Sequence, residues 1–174
     1  MPSMGIYSYE LFKFYDVENI LRLGSCGGYN KDLNLFDLVL VDNSYTEGNY
    51  ALSINNSDCH FINSSNELNS VIEATAKSID ISIKKSNIAC GEVFDAYMND
   101  MSKYLERLPK EYNISGAEME AFALFYNAKL LNKKASCILT VVDSYFYNEN
   151  ISADARQNSL NQMIKLGLES AIRL

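Results

Sequence analysis

Apolar and polar positions alternate along the chain in a way that predicts strands and helices in turn. Short apolar runs predict strands over 18–23, 37–45, 87–94, 114–118 and 135–145. Apolar residues at helical spacing predict helices over 7–15, 64–79, 96–108 and 119–131, and a last helix that begins near Ser152. Strands that alternate with helices are typical of a mainly parallel or mixed sheet covered by helices.

Three local patterns refine this prediction. Ser64 and Glu67 stand at the spacing of a capping box, which predicts the start of the second helix. Residues 48–63 are polar and rich in asparagine, and we expect a loop there. In the last helix, one apolar stripe of the kind that packs on a core is predicted to contain Leu160, Met163, Ile164, Leu168, Ala171 and Ile172.

Length and charge limit the class of protein. The 174 residues predict a single domain over 1–174, and 48% hydrophobic with 21% charged residues is ordinary for a soluble globular protein. A formal net charge of −7 without a long basic run argues against nucleic acid or an anionic membrane as a partner. We find no apolar stretch of membrane-spanning length and no signal-peptide pattern, and we expect a cytoplasmic protein.

The cysteines and the single histidine exclude several kinds of site. Cys26, Cys59, Cys90 and Cys137 stand far apart without a CxxC pair, so we expect reduced thiols and neither a zinc site nor a disulfide framework. His60 is the only histidine, which removes a Ser-His-Asp triad unless this residue serves it. Because it lies in a polar stretch, we expect a surface or packing role for it.

Polar residues of chemical interest stand at the ends of three predicted strands. The stretch "LRLGSCGG" runs from Leu21 to Gly28, and here Arg22 leads out of an apolar strand into a segment that we expect to be a glycine-rich turn. Glu118 to Glu120 begin at the end of a second strand, and Asp143 lies near the end of the most apolar one. The ends of strands are where open α/β sheets bind ligands.

Taken together, the ordered motifs RLGSCG, GAEMEA, TVVD and ARQ resemble the bacterial hexameric-type purine nucleoside phosphorylases, within the nucleoside phosphorylase family. The resemblance covers essentially the whole chain in one register. It implies a three-layer α/β sandwich with a central mixed sheet flanked by helices. It also implies a pentosyltransferase: reversible phosphorolysis of purine nucleosides or deoxynucleosides to free base and pentose 1-phosphate. Inorganic phosphate is the co-substrate, and no metal or organic cofactor is expected.

For phosphate, the resemblance points to Arg22 and Ser25. An arginine offers a fixed fork of donors to phosphate oxygens, and a hydroxyl and the N–H groups of a glycine turn add more. The alternative is an arginine that extends from a strand to solvent beside a serine that only occupies a turn.

For the sugar, the family motif assigns Glu120 to the ribose 2′- and 3′-hydroxyls, with Met119 against the ring and Glu118 near base or sugar. A carboxylate accepts both hydrogen bonds and favours positive charge developing near C1′. Alternatively, these residues only begin a helix, where acidic side chains are favoured by the helix dipole.

For the base, the resemblance makes Asp143 the general acid at purine N7, with Arg156 controlling proton delivery. The carboxyl then needs a raised pKa, through burial or through substrate contact. The alternative is an aspartate at a strand end and an arginine on a solvated helix face. Tyr97 is expected to stack on the base, and Cys26 and Gly27 to line the pocket. Relatives with aspartate rather than asparagine at the position of Asp143 also accept 6-aminopurines, so the resemblance implies that both adenosine and inosine or guanosine are substrates.

The chain departs from the family pattern at its start, because Met1 aligns inside the loop that precedes the family's first long helix. The family's N-terminal segment carries further phosphate donors and a histidine that closes the sugar site of the neighbouring subunit. Losing one such contact typically costs a hundredfold or more in rate. We therefore expect the 174-residue chain by itself to be a weak catalyst at best. The resemblance also implies a homo-oligomer, either a dimer or a hexamer built as a trimer of dimers.

Other functions stay open at this point. A uridine phosphorylase-like relative would carry Gln and Arg for uracil before the ribose motif, and the segment 94–100 shows no such pair. A phosphate-independent nucleosidase would have no need of Arg22 and Ser25. A truncated paralogue that binds nucleosides without turnover is a third, non-enzymatic alternative.

Overall fold

A computed structural model describes residues 1–146 and 153–174, and in the last helix the side chains of residues 154 and 160–174. In these ranges the helices and strands are, in chain order, α1 (Pro2–Phe14), β1 (Asn19–Gly28), β2 (Leu38–Tyr45), α2 (Tyr50–Asn55), β3 (Phe61–Asn63), α3 (Asn66–Ser78), β4 (Lys84–Cys90), α4 (Met101–Arg107), β5 (Ile114–Glu118), α5 (Ala121–Leu130), β6 (Lys134–Ser144) and α6 (Ala153–Ala171). Two short 3-10 helices, Asp95–Tyr97 and Lys110–Tyr112, flank α4.

The strands form one mixed sheet in the order β3-β2-β4-β5-β1-β6, and β6 also pairs with β2. The sheet therefore closes into a ring of five strands, with β3 attached outside it. β1 runs parallel to β6 from end to end and meets β5 in antiparallel pairing only at Gly27 and Gly28. The predicted fold class, a mixed sheet flanked by helices, is confirmed, and the closure through β2 and β6 is an addition to it.

Helices cover both faces of the sheet. Val39 and Val41 of β2 belong to the apolar cluster shared with α1 and α5, whereas Leu38 and Leu40 belong to the cluster shared with α3 and α6. Since successive strand residues point to opposite faces, the two clusters lie on opposite sides. Helix α5 is buried from Ala121 to Ala128, which explains why its sequence is apolar on all sides.

Two element predictions are wrong because the elements are short. The expected loop over 48–63 contains α2 and the three-residue strand β3, both too short to show a clear period. The helix predicted over 96–108 is α-helical only from Met101 to Arg107. Its start is set by Asp100, whose side chain accepts a hydrogen bond from the Lys103 N–H.

The predicted start of α3 is displaced by one residue. The side chain of Ser65, not that of Ser64, accepts the hydrogen bond from the Leu68 N–H. Ser64 instead donates its hydroxyl to the Asp42 carbonyl oxygen and so ties the helix entrance to β2. The predicted capping box of Ser64 and Glu67 is therefore wrong, although the predicted helix is confirmed.

The apolar stripe predicted on α6 is also corrected. Met163 is buried as expected, but Ile164, Leu168 and Ile172 are 43%, 64% and 78% exposed, and Ala171 is exposed as well. The face turned to the sheet contains Gly167, where an added Cβ would stand 2.6 Å from Leu23 Cδ1. A small residue lets the helix approach β1 closely, and this contact decides the buried face.

No helix within the described ranges is long and apolar enough to cross a membrane.

Candidate active site

A cavity of about 180 Å³ lies at the ends of β1, β5 and β6, beside the segment that follows β4. Its wall includes most of the predicted site residues: Arg22, Ser25, Cys26, Gly27, Glu118, Met119, Glu120 and Asp143. The sheet brings these residues together because β1 pairs with both β5 and β6 near their ends. Residues distant along the chain therefore share one wall.

The stretch that begins the cavity is a strand, not the glycine-rich turn that we expected. β1 continues through Gly28, and none of the eight glycines, all of which lie in the described ranges, has a positive φ. The glycines instead provide space. A Cβ on Gly24 would stand 2.5 Å from Arg22 Nη1, so the guanidinium lies directly over this residue. Ser25, the next residue, is exposed and lines the cavity.

The Arg22 guanidinium is surrounded by acceptors. Its Nη1 lies 3.3 Å from Glu118 Oε2 and donates to Cys137 Sγ at 3.4 Å, while Nη2 donates to Glu120 Oε2. Burial alone would lower the pKa of Arg22, but Cys137, Glu118 and Glu120 outweigh it, and the pKa is raised above its ordinary value. Arg22 is thus a permanent cation at this end of the cavity.

Glu118 connects the cavity to the start of α5. Its carboxylate accepts hydrogen bonds from the backbone N–H groups of Glu120 at 2.8 Å and Ala121 at 2.9 Å. The side chain is almost fully buried, and burial raises its pKa although Arg22 and these two N–H groups act in the opposite direction. Glu118 therefore satisfies donors at the helix start and holds Arg22 at the same time.

Asp143 reaches the cavity through an irregularity in the sheet. The register of β1 and β6 shifts so that Cys26 faces Val141 while Gly27 faces Asp143, which leaves Val142 as the extra residue. A bulge of this kind re-aims side chains next to active sites. A Cβ on Gly27 would stand 2.4 Å from Asp143 Oδ1, so glycine is needed for this approach. Asp143 is exposed and not buried.

The structure does not bring Tyr97 to the cavity. Tyr97 is 78% exposed and packs edge-on against Phe94, with ring centroids 5.3 Å apart. Phe94, three residues earlier, lines the cavity instead. Arg156 lies in α6, but its side chain is outside the described residues. His60 is exposed, which agrees with the expected surface or packing role, and its Nδ1 lies 2.9 Å from the Thr46 carbonyl oxygen.

Sequence reasoning missed two groups at the cavity. Asp95 lines its wall and accepts a hydrogen bond from the Tyr29 hydroxyl at 2.9 Å. Cys137 lies behind Arg22. An acidic residue soon after the end of β4 was the only available signal for Asp95, and nothing in the apolar sequence of β6 marked Cys137. Among the described residues, no group of three or more His, Cys, Asp or Glu side chains is placed to hold a metal ion.

Comparison with known proteins places the chain in a family. The model of the Phosphorylase superfamily matches residues 1–172. DeoD-type purine nucleoside phosphorylases from Mycoplasma pneumoniae and Mycoplasma genitalium are 36% and 38% identical to this chain. The matches cover all of this chain and 72% of each relative. The chain belongs to the phosphorylase superfamily, and the resemblance inferred from its motifs is confirmed.

Solved structures agree on the fold. A 5′-methylthioadenosine/S-adenosyl homocysteine nucleosidase from Campylobacter jejuni matches with a TM-score of 0.84 at 17% identity, over 98% of this chain and 76% of the other. A futalosine hydrolase mutant from Helicobacter pylori matches with a TM-score of 0.79 at 21% identity, over 98% and 74%. At these identities the likeness concerns the fold alone.

Proposed function

We propose that the chain is a purine nucleoside phosphorylase, which uses inorganic phosphate to cleave purine ribonucleosides or deoxyribonucleosides. The observation that carries the proposal is that Arg22, Glu120 and Asp143, from three separate parts of the chain, line one cavity. The Mycoplasma relatives bearing that name, which align with the whole chain, support it.

At one end of the cavity, Arg22 and Ser25 bind phosphate. The guanidinium is buried and permanently charged, and the Ser25 hydroxyl adds a donor beside it. Glu120, which accepts a hydrogen bond from Arg22, holds the ribose hydroxyls, with Met119 against the ring. The hydrogen bond between Arg22 and Glu120 supports this assignment, because the phosphate bound by Arg22 must attack C1′ of the sugar held by Glu120.

At the other end, Asp143 acts on the base. A phosphate oxygen bonds to C1′ as the C1′–N9 bond breaks, and the bonding electrons pass to the purine. Asp143 gives a proton to N7, so the base leaves neutral, and Arg156 controls that proton. Cys26 and Gly27 line this end of the pocket. In the reverse direction the same groups return the base to ribose 1-phosphate.

The proposal extends to assembly and location. We propose a homo-oligomer, a dimer or a trimer of dimers. The exposed apolar side chains Ile6, Tyr7 and Phe14 on α1 and Leu52 on α2 are the kind of surface that a subunit contact covers. A cytoplasmic location, which the four unpaired cysteines favour, belongs to the same proposal. Sedimentation of the purified chain measures the assembly.

The test is hypoxanthine release from inosine with and without phosphate. We expect release only with phosphate and in equal amount to ribose 1-phosphate. Arg22→Lys should raise the KM for phosphate by roughly 10- to 100-fold, since an ammonium cannot reproduce the fork. Arg107→Lys is the matched control, because Arg107 pairs with Glu47 on the surface. Release without phosphate would instead identify a nucleosidase, cleavage of uridine a pyrimidine enzyme, and binding without turnover a non-catalytic module.

A further inference from the structure

Asp95 is a carboxylate that the fold holds at the cavity and that no step of the proposed reaction uses. It begins the short 3-10 helix after β4, and its Oδ2 accepts a hydrogen bond from the Tyr29 hydroxyl at 2.9 Å. Tyr29 is 8% exposed and packs edge-on against the buried Tyr104. Burial and the nearby carboxylate raise the pKa of Tyr29, so its hydroxyl keeps the proton that it donates. Asp95 therefore has a fixed position.

That position is beside Asp143. A Cβ on Gly27 would stand 3.5 Å from Asp95 Oδ2 and 2.4 Å from Asp143 Oδ1, so both carboxylates lie close to one point above the strand. The Arg22 guanidinium lies over Gly24, three residues earlier on β1, which corresponds to roughly 10 Å along a strand. The two carboxylates thus mark the end of the cavity opposite the cation. Asp95 also lines the adjoining cavity of about 410 Å³, which opens beyond Asp143.

Among residues 1–146 and 153–174, the contacts described for Asp95 leave part of its hydrogen-bonding capacity unused. In the described part of the chain, the Tyr29 hydroxyl is the one hydrogen-bond donor to this side chain. An ionised carboxylate is an acceptor only and has room for several hydrogen bonds. A ligand group that meets Asp95 is therefore favoured when it carries N–H donors and disfavoured when it carries an acceptor.

From this geometry we propose that Asp95 determines base specificity by accepting a hydrogen bond from the exocyclic amino group of a 6-aminopurine. The inference rests on the proposed function, in which Asp143 faces N7. The 6-substituent is the neighbour of N7 on the same edge of the purine, and Asp95 is the neighbour of Asp143. A 6-oxopurine places its carbonyl oxygen opposite the carboxylate, where two acceptors face each other without a hydrogen bond. Adenosine is therefore preferred over inosine, although both are cleaved.

The test compares adenosine and inosine as substrates of wild type and Asp95→Asn. An amide can donate to a 6-oxo group, so the ratio of kcat/KM for adenosine to that for inosine should fall at least tenfold, with inosine cleavage maintained or improved. Glu92→Gln, an acid-to-amide change three residues away on an exposed side chain, should leave the ratio unchanged. Tyr29→Phe, which keeps the buried ring but removes the hydroxyl that fixes Asp95, should shift the ratio in the same direction by a smaller factor.

Each outcome decides the inference. A loss of the same factor on both nucleosides, or an unchanged ratio in both variants, overturns it. If Asp95→Asn fails to fold, the Tyr29→Phe ratio decides. If the wild type cleaves neither nucleoside with phosphate, the proposed function fails. Calorimetric binding of free adenine and hypoxanthine then tests Asp95 by itself: the inference stands if wild type prefers adenine and Asp95→Asn loses that preference, and fails otherwise.

Discussion

Arg22 of β1 and Glu118 of β5 form a buried ion pair, with Nη1 3.3 Å from Oε2 and side chains 12% and 1% exposed. Glu118 also accepts hydrogen bonds from the backbone N–H groups of Glu120 and Ala121 at the start of α5. One carboxylate therefore fixes the cation at the cavity relative to the backbone that carries the second acidic residue. Buried pairs of this kind rarely add much stability, so a positioning role is the better explanation for it.

The first prediction concerns pH. Burial raises the pKa of Glu118 above its ordinary value, so the folded chain binds this proton more tightly than the unfolded chain. The stability that Glu118 contributes is then full below about pH 4 and is lost as the pH rises through the raised pKa. Urea unfolding at a series of pH values should show the wild type losing free energy of unfolding relative to Glu118→Gln as the pH rises. If the free energy of unfolding of the wild type increases relative to that of Glu118→Gln as the pH rises, the prediction is contradicted.

A second prediction concerns phosphate. Glu118→Gln weakens the hold on Arg22 while keeping the side-chain shape, and we expect the KM for phosphate to rise about tenfold with a smaller change in kcat. Glu47→Gln is the matched control, because Glu47 pairs with Arg107 at the surface. Steady-state kinetics with varied phosphate measures both. Equal effects in the two variants would remove the positioning role from Glu118.

A third prediction uses two adjacent glycines. A Cβ at position 27 would stand 2.4 Å from Asp143 Oδ1, whereas at position 28 the nearest atom is 3.6 Å away. Because the first contact is with the end of a side chain, Gly27→Ala should displace Asp143 with little loss of stability. We expect kcat/KM for inosine to fall about 100-fold in Gly27→Ala and to change little in Gly28→Ala. Similar kinetics for the two variants would show that the approach of Asp143 to β1 is unimportant.

A fourth prediction concerns the thiols. Cys59 is partly exposed, whereas Cys26, Cys90 and Cys137 are buried. Burial raises the pKa of Cys137 to about 12 and that of Cys26 and Cys90 above the ordinary range. Since the thiolate is the reactive form, a chromogenic disulfide reagent should titrate one thiol in the native chain and four after denaturation. Cys59→Ser should abolish the native reaction. Rapid labelling of a second native thiol is the contradicting result.

A fifth prediction separates the two classes of purine. Asp143→Asn should suppress adenosine cleavage far more than inosine cleavage, because asparagine cannot deliver a proton to N7. Initial rates for the two nucleosides at fixed phosphate measure the ratio. If both rates fall by the same factor, N7 protonation by Asp143 is refuted.

The cavity wall could be predicted because its residues stand in recognisable motifs. Glu120 follows β5 and Asp143 is the residue before the last one of β6, whereas Arg22 lies within β1, six residues before its end. The glycines of β1 were identified but misinterpreted: they do not form a turn, and Gly24 and Gly27 provide room for the Arg22 and Asp143 side chains. Sequence spacing cannot distinguish a glycine needed for conformation from one needed for close approach.

The other differences between expectation and structure depend on contacts between distant segments or on a local turn of helix. The buried face of α6 depends on Leu23 meeting Gly167, which no periodicity within the helix reveals. Asp95 is significant only because Tyr29, the residue after β1, holds it beside Gly27. Tyr97 was selected as an aromatic residue in the right segment, and the local 3-10 helix places Phe94 at the cavity instead.

The most direct test is a crystal structure of the chain with inosine and with sulfate as an unreactive substitute for phosphate. The account predicts sulfate at Arg22 and Ser25, the ribose hydroxyls at Glu120 and the N7 edge of the base at Asp143. A nucleoside bound elsewhere, or a complex that lacks any of these three contacts, would contradict the account.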